Sequence, residues 1–282
     1  MWLLHTKTLE LRHFMKTLEL RDFMELEETE IRYAILLHVW EDVDHTQSFH
    51  DIRAIHARCV VSGEDPHSLV TEKVCRFCLI AEQAGYEWIW LDTCCIDKTS
   101  STELSEAINS MWAWYQDAGI CYAYLCDVGD DDDPQVSDSE FRRSKWHTRG
   151  WTLQELIAPR EVIFLSKGWF AIGSKISLVA VVAEITKIDD TVLAQTYMFS
   201  LSRCSIARRM SWVSRRQTSR IEDRAYSLLG ILGISMPIIY GEGRHSFTHL
   251  QIEILRHTQD HMLVPSSPYR SLSITRQDAK IG

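Results

Sequence analysis

The chain has 282 residues, 45% of them hydrophobic, with a formal net charge of -9 and a pI of about 5.7. That is enough apolar material for one large domain, or one domain plus an extension. The acidic balance argues against broad nucleic-acid binding and against an anionic membrane surface as the main partner.

No apolar run reaches the roughly 18 residues needed to span a bilayer. The opening MWLLHTKTLELRHFM is broken by Lys7, Glu10 and Arg12 and has no uninterrupted apolar stretch or small-residue cleavage site. A cytoplasmic location with no membrane span is therefore expected. The same N-terminus carries a tandem copy, KTLELRHFM at 7–15 and KTLELRDFM at 16–24, which matches at eight of nine positions. Nine residues make about 2.5 helical turns, so the copies cannot share one helix face, and one pair is too short for a solenoid. Residues 1–30 are read as an added surface segment.

Ile31–Trp40 has the pattern of a buried strand and runs into the acidic Glu41, Asp42 and Asp44. Asp65 and Pro66 are placed to cap and open a helix that ends at Gly85. Tyr86–Ile96, rich in aromatics, reads as a second strand ending at Asp97. Ser100–Glu103 forms a capping box for a helix carrying Leu104, Ile108, Met111, Trp112 and Tyr115. Ile120–Leu125 reads as a third strand. GDDDDP at 129–134 is a solvated acidic loop without the regular spacing of an EF-hand. SKWHTRGWTLQELIAP at 144–159 reads as an amphipathic turn of helix stopped by Pro159, and Glu161–Leu165 as a fourth strand.

Strand and helix thus alternate four times between residues 31 and 165, the pattern of a parallel sheet covered by helices. In such sheets ligands bind at the carboxyl ends of the strands, so the loops after Trp40, Ile96 and Leu125 line that edge. Residues 171–260 read as mainly helical. They contain seven arginines between Arg203 and Arg224, a capping box at Ser219–Glu222, a glycine turn at Gly241–Gly243 and a final helix ending near His257. Residues 261–282 are expected to be a disordered tail.

The cysteines fall mostly inside apolar segments, as buried free thiols do. Cys75–Cys78 has CxxC spacing, but no second pair completes a zinc site, so no metal is expected.

Four blocks, YAILLHVW (33–40), WIWLDTCCIDKTSSTELSEAINSMWAWYQDA (88–118), RGWTLQELIAP (149–159) and RIEDRAYSLLGILGISMPIIYGEG with its helix (220–257), resemble the fungal heterokaryon-incompatibility (HET) domain. The resemblance implies a domain over 31–260 that triggers programmed cell death in non-self recognition, often attached to a nucleotide-binding receptor module. HET domains in turn resemble Toll/interleukin-receptor (TIR) domains. Here YAILLHVWED (33–42) is similar to the TIR first strand, and Trp151–Leu156 has the Trp-to-Glu spacing of a TIR helix whose glutamate is catalytic where the family cleaves NAD. This implies a TIR-like (flavodoxin-like) α/β sheet flanked by helices, with a mainly helical C-terminal part, and activation by homo-oligomeric assembly. The first strand departs from the usual HET pattern. Leu37 and Val39 replace a serine and a threonine, and Glu41 replaces a glycine.

Glu155 has two readings. As a helix residue it pairs with Arg149 or Arg160. As a catalytic residue it sits among Trp146, Trp151, Leu153, Leu156 and Ile157, which raise a carboxyl pKa and strengthen its electrostatics. A single carboxylate can stabilise the oxocarbenium-like transition state of nicotinamide loss, with NAD as substrate rather than cofactor. Trp40, Glu41, Asp42, Asp97 and Trp151 are candidates for substrate binding. Asp92 and Asp97 also read as half-buried and turn-capping residues. GEGRHS (241–246) reads mainly as a tight turn, with anion binding the lesser reading. His245, His249, His257 and His261 recur at helical spacings without an HExxH pattern and are read as surface or partner-facing residues. Three functional readings follow: an NAD-hydrolysing death effector, a non-catalytic assembly module, and a decayed copy.

Overall fold

The computed structural model describes residues 1–14, 31–39, 47–194 and 201–257. The alternation seen in the sequence forms four parallel strands: β3 (Tyr33–His38), β4 (Trp88–Trp90), β5 (Ile120–Tyr124) and β6 (Val162–Leu165). Every residue of β3 is buried, as a central parallel strand requires. The sheet is mixed rather than wholly parallel. A hairpin of β1 (Trp2–His5) and β2 (Leu11–His13) adds antiparallel to β4, and β7 (Ala171–Ser174) adds antiparallel to β6. The order across the sheet is β2-β1-β4-β3-β5-β6-β7.

The N-terminal hairpin gives the duplicated segment a place in the fold. Leu3, Leu4 and Leu9 are fully buried. Leu9 holds a left-handed backbone (φ 53°) at the turn, and the first copy continues into β2. The second copy lies outside the described residues, as does the tail.

The helices correct several boundaries. α1 (Phe49–Ser62) is absent from the sequence reading although its signals are present. Ser48 and Asp51 form a reciprocal capping box, and Gly63 closes the helix in the left-handed conformation (φ 73°). Asp65 and Pro66 open only a 3-10 turn, Pro66–Ser68, and α2 starts afresh at Glu72–Gln83. The Gln47 side chain bonds both Leu69 O and Thr71 N and pins the break between them. α3 (Ser101–Asp117) starts where Ser100 predicts.

Beyond β5, α4 (Glu140–Arg143) and a 3-10 turn (Lys145–Thr148) lead to α5 (Thr152–Ile157). All six residues of α5 are buried, so this helix is enclosed on every side rather than amphipathic. After β7 come α6 (Val179–Thr186), α7 (Asp190–Leu193), α8 (Ile206–Ser211), α9 (Asp223–Tyr226), α10 (Leu229–Leu232) and α11 (His245–His257). α5 packs on α3 and α7, which fixes it beside the sheet.

Candidate functional site

The register sets His38, Tyr124 and Leu165 in one row at the carboxyl edge of β3, β5 and β6. The chain leaves β3 for β4 on one side and returns to β5 on the other. The gap between the ends of β3 and β5 is therefore a topological switch point, where α/β sheets bind ligands. A narrow, largely enclosed cleft, too tight to admit a water molecule, lies there, lined by Val39, Tyr124, Leu125, Cys126, Asp127, Lys145 and Trp146. Asp127 fastens its rim, accepting from Ser144 Oγ at 2.7 Å and Lys145 N at 2.8 Å. Those bonds start the 3-10 turn that carries Trp146, whose side chain is fully buried.

Behind Trp146 lies Glu155, only 8% exposed. Burial, seconded by the charge of Asp92, pushes its carboxyl up to about 8. Arg216, the Trp146 indole N–H and Arg149 act against that rise. The indole and carboxyl are close enough to interact but not aligned as a full hydrogen bond, and both Trp146 Nε1 and Glu155 Oε2 are left without a partner. At neutral pH the carboxyl is therefore mostly protonated.

The cation nearest in effect is Arg216, one of the seven arginines between Arg203 and Arg224. Its Nη1 donates to Arg149 O and to Thr152 Oγ1, each at 2.8 Å. Its Nη2 is buried and unpartnered. Enclosure of the guanidinium lowers Arg216 to about 10, and Glu155 opposes the fall. The segment carrying it is stitched to the start of α5 by Gly150 N to Gln217 O at 2.8 Å and Gln217 N to Thr148 O at 2.7 Å. The approach is tight enough to demand glycine: a Cβ on Gly150 would meet Thr218 Cγ2 at 2.5 Å.

Two more groups complete the surroundings. His147, stacked edge-on among Phe141 and Trp146, is lowered to about 4 by burial and then by Arg216. His38, at the end of β3, lies 4.0 Å from Asp92 Oδ1, which follows β4. Tyr115 of α3 is buried within the influence of both Glu155 and Asp92. The Glu155 carboxyl, the Arg216 guanidinium, the Trp146 indole N–H and the His147 imidazole thus lie near one another, each with a buried polar atom that has no hydrogen-bond partner. Buried polar groups are nearly always paired, so such a concentration needs a reason.

Of the other residues expected at the site, Trp40, Glu41 and Asp42 lie outside the described residues. Trp151 contributes through its backbone, which accepts from Glu155 N at 3.5 Å. Its indole helps hold the Asp223 carboxyl against the upward push of burial. Asp97 is engaged in its own turn, accepting from Thr99 N at 3.0 Å and Thr99 Oγ1 at 2.6 Å, with His50 Nε2 3.2 Å away. Arg149 reaches Ser219 Oγ at 2.9 Å rather than Glu155.

The glycine turn already holds an anion. Glu222 Oε1 accepts from Gly241 N at 3.0 Å and Gly243 N at 3.1 Å, so Glu222 serves this loop and not a capping box. The acidic loop is likewise used internally. Asp130 accepts from Ser166 Oγ and Gly168 N, and Asp132 from the backbone of Glu140 and Phe141. Among the described residues, no group of three or more His, Cys, Asp or Glu side chains is arranged to hold a metal ion, and no helix is long and apolar enough to cross a membrane.

Residues 33–141 match the family described as Heterokaryon incompatibility protein (HET). The chain is similar to the vegetative incompatibility protein HET-E-1 of Podospora anserina, with 44% identity over 219 residues. That stretch is 75% of this chain and 15% of the relative, so the chain spans a small part of the relative's length. No solved structure matches the chain significantly.

Proposed function

Because the chain is a heterokaryon-incompatibility (HET) domain protein, we propose that it acts in fungal vegetative incompatibility, as an effector that triggers cell death by hydrolysing NAD or a related nucleotide. The observation behind the enzymatic part is Glu155, buried behind a cleft at the switch point with one oxygen unpaired and a guanidinium nearby. Hydrolysis breaks the bond between nicotinamide nitrogen and ribose C1′. The electron pair leaves with nicotinamide, water adds to C1′, and one proton is released. A carboxylate beside C1′ stabilises the cationic sugar as the bond breaks. The positive nicotinamide ring itself favours the ionised form of Glu155, so substrate arrival supplies the charge state that the empty site suppresses.

Two features support the TIR-like reading. The parallel strands, counted in chain order, lie 2-1-3-4, the start of the flavodoxin-like order, with the cleft between the first and third. The Trp151–Leu156 block forms the N-cap and body of α5, just after the 3-10 turn whose Lys145 and Trp146 line this cleft. Assembly of several copies, prompted by a receptor module, would widen and complete this narrow cleft. A second reading, a non-catalytic module acting by homotypic and partner contacts, is favoured by the closure of Glu155 behind Trp146.

The test is NAD consumption by purified protein, concentrated or crowded to force assembly, beside Glu155→Gln. Loss of NAD with the wild type alone is expected. Equal rates would remove Glu155 from the chemistry, and no loss from folded and assembled wild type would leave the module reading.

A further inference from the structure

We propose that Arg216 is the positioning residue of this site: tied to the first turn of α5, it holds its second nitrogen available to the Glu155 carboxyl and keeps that carboxyl ready to ionise. The inference deepens the nucleotide-hydrolysis reading and rests on it for its catalytic meaning, but it can be tested without turnover.

The geometry carries it. A guanidinium has five N–H donors in a rigid fork, so it can anchor with one arm and present another. Arg216 uses Nη1 on Arg149 O and Thr152 Oγ1, the backbone and hydroxyl that precede and begin α5. Thr152 Oγ1 also bonds Trp146 O at 2.5 Å and Arg149 O at 2.9 Å, which fixes the acceptor that aims the guanidinium. Nη2 is buried with no partner, and three residues further along α5 Glu155 has a buried oxygen with no partner. The two atoms are not paired with each other, so each keeps the capacity that the other lacks.

The groups that act on the carboxyl oppose one another. Asp92 beyond β4 disfavours the anion, while Arg216, Arg149 and the Trp146 indole favour it. Tyr115 of α3 and Cys121 of β5 face it as neutral groups held protonated by burial. His147, beside Arg216, stays uncharged at neutral pH. Arg216 is the largest favourable influence and the only one of these cations whose guanidinium also bonds α5.

The test follows the protonated carboxyl C=O band of Glu155 by infrared difference spectroscopy, assigned by subtraction of Glu155→Gln. In Arg216→Met the midpoint of its pH titration should rise by about one pH unit or more, the usual effect of losing an opposite charge nearby. Thr152→Val, which removes only the aiming hydroxyl, should move it the same way by less and covers the case in which Arg216→Met does not fold. An unmoved midpoint in a folded Arg216→Met, or in Thr152→Val where that alone folds, overturns the proposal. On turnover, the pH profile of kcat/KM for Arg216→Met should shift to the alkaline side by the same amount, with kcat/KM at pH 7 falling about tenfold for each unit and recovering at higher pH. A fall that no pH restores would make Arg216 merely structural and sink the idea. If the band shifts but wild type consumes no NAD, the positioning role stands and the NAD reading falls.

Discussion

Glu155→Gln should make stability less sensitive to alkaline pH, although it removes the residue most central to the site. Burial raises the carboxyl from 4.5 to about 8 in the folded chain. Between those values the folded chain keeps a proton that the unfolded chain has released. Stability therefore falls as pH rises through this window and levels off above pH 8. At ~1.36 kcal/mol per pH unit the full loss is about 4–5 kcal/mol, of which about 4 falls between pH 5 and 9. Glutamine keeps the shape and cannot ionise. The difference in unfolding free energy between wild type and Glu155→Gln should thus swing by about 4 kcal/mol in favour of the variant between pH 5 and 9. His147 and Lys175 also titrate, but they are common to both proteins and cancel in the difference. Urea titrations at intervals of one pH unit supply the curves. Parallel curves, within about 1 kcal/mol, would mean that Glu155 ionises normally and that its enclosure behind Trp146 has no electrostatic consequence.

Three other outcomes are expected. His147→Phe should unfold at lower pH than wild type. The wild-type imidazole is held neutral down to about 4 against an ordinary 6.5, so folded protein loses up to about 3 kcal/mol as pH falls through that window, and phenylalanine does not; equal acid midpoints by circular dichroism would count against this. Gly150→Ala should cost about 1–3 kcal/mol, because its Cβ collides with Thr218 Cγ2 and crowds Ser227 Oγ at 3.3 Å, and a chemical denaturation midpoint equal to wild type would show that the contact yields freely. Lys175→Met should cost about 1–3 kcal/mol in the same measurement. The fully buried ammonium bonds Leu156 O and Pro159 O at the end of α5, and those carbonyls would lose their partner.

The core of the fold could be read from local pattern. Four short apolar runs separated by helical periodicity specify a parallel arrangement, because each strand must be buried on both faces and each crossover needs a helix. Capping chemistry was equally readable at Ser100, and also at Ser48, where the box closes with Asp51 rather than glutamate. Pairings that no local signal encodes were not readable. The edges became antiparallel because β1 and β7 found open strands on β4 and β6. Asp65 capped one turn and not a helix because Gln47, 22 residues before Leu69, interrupts the chain there.

The same division runs through the site. Local pattern places Glu155 in an apolar helix that follows two tryptophans and stops at Pro159, and hence makes its carboxyl either exposed on one face or perturbed. The packing of distant segments selects between these. Helix α5 packs against α3 and α7, Trp146 closes over it, and Arg216 arrives from a segment more than 60 residues away to bond Thr152. A carboxyl's ionisation depends on everything within several ångströms, and those neighbours are set by chain topology, which no spacing along the sequence records.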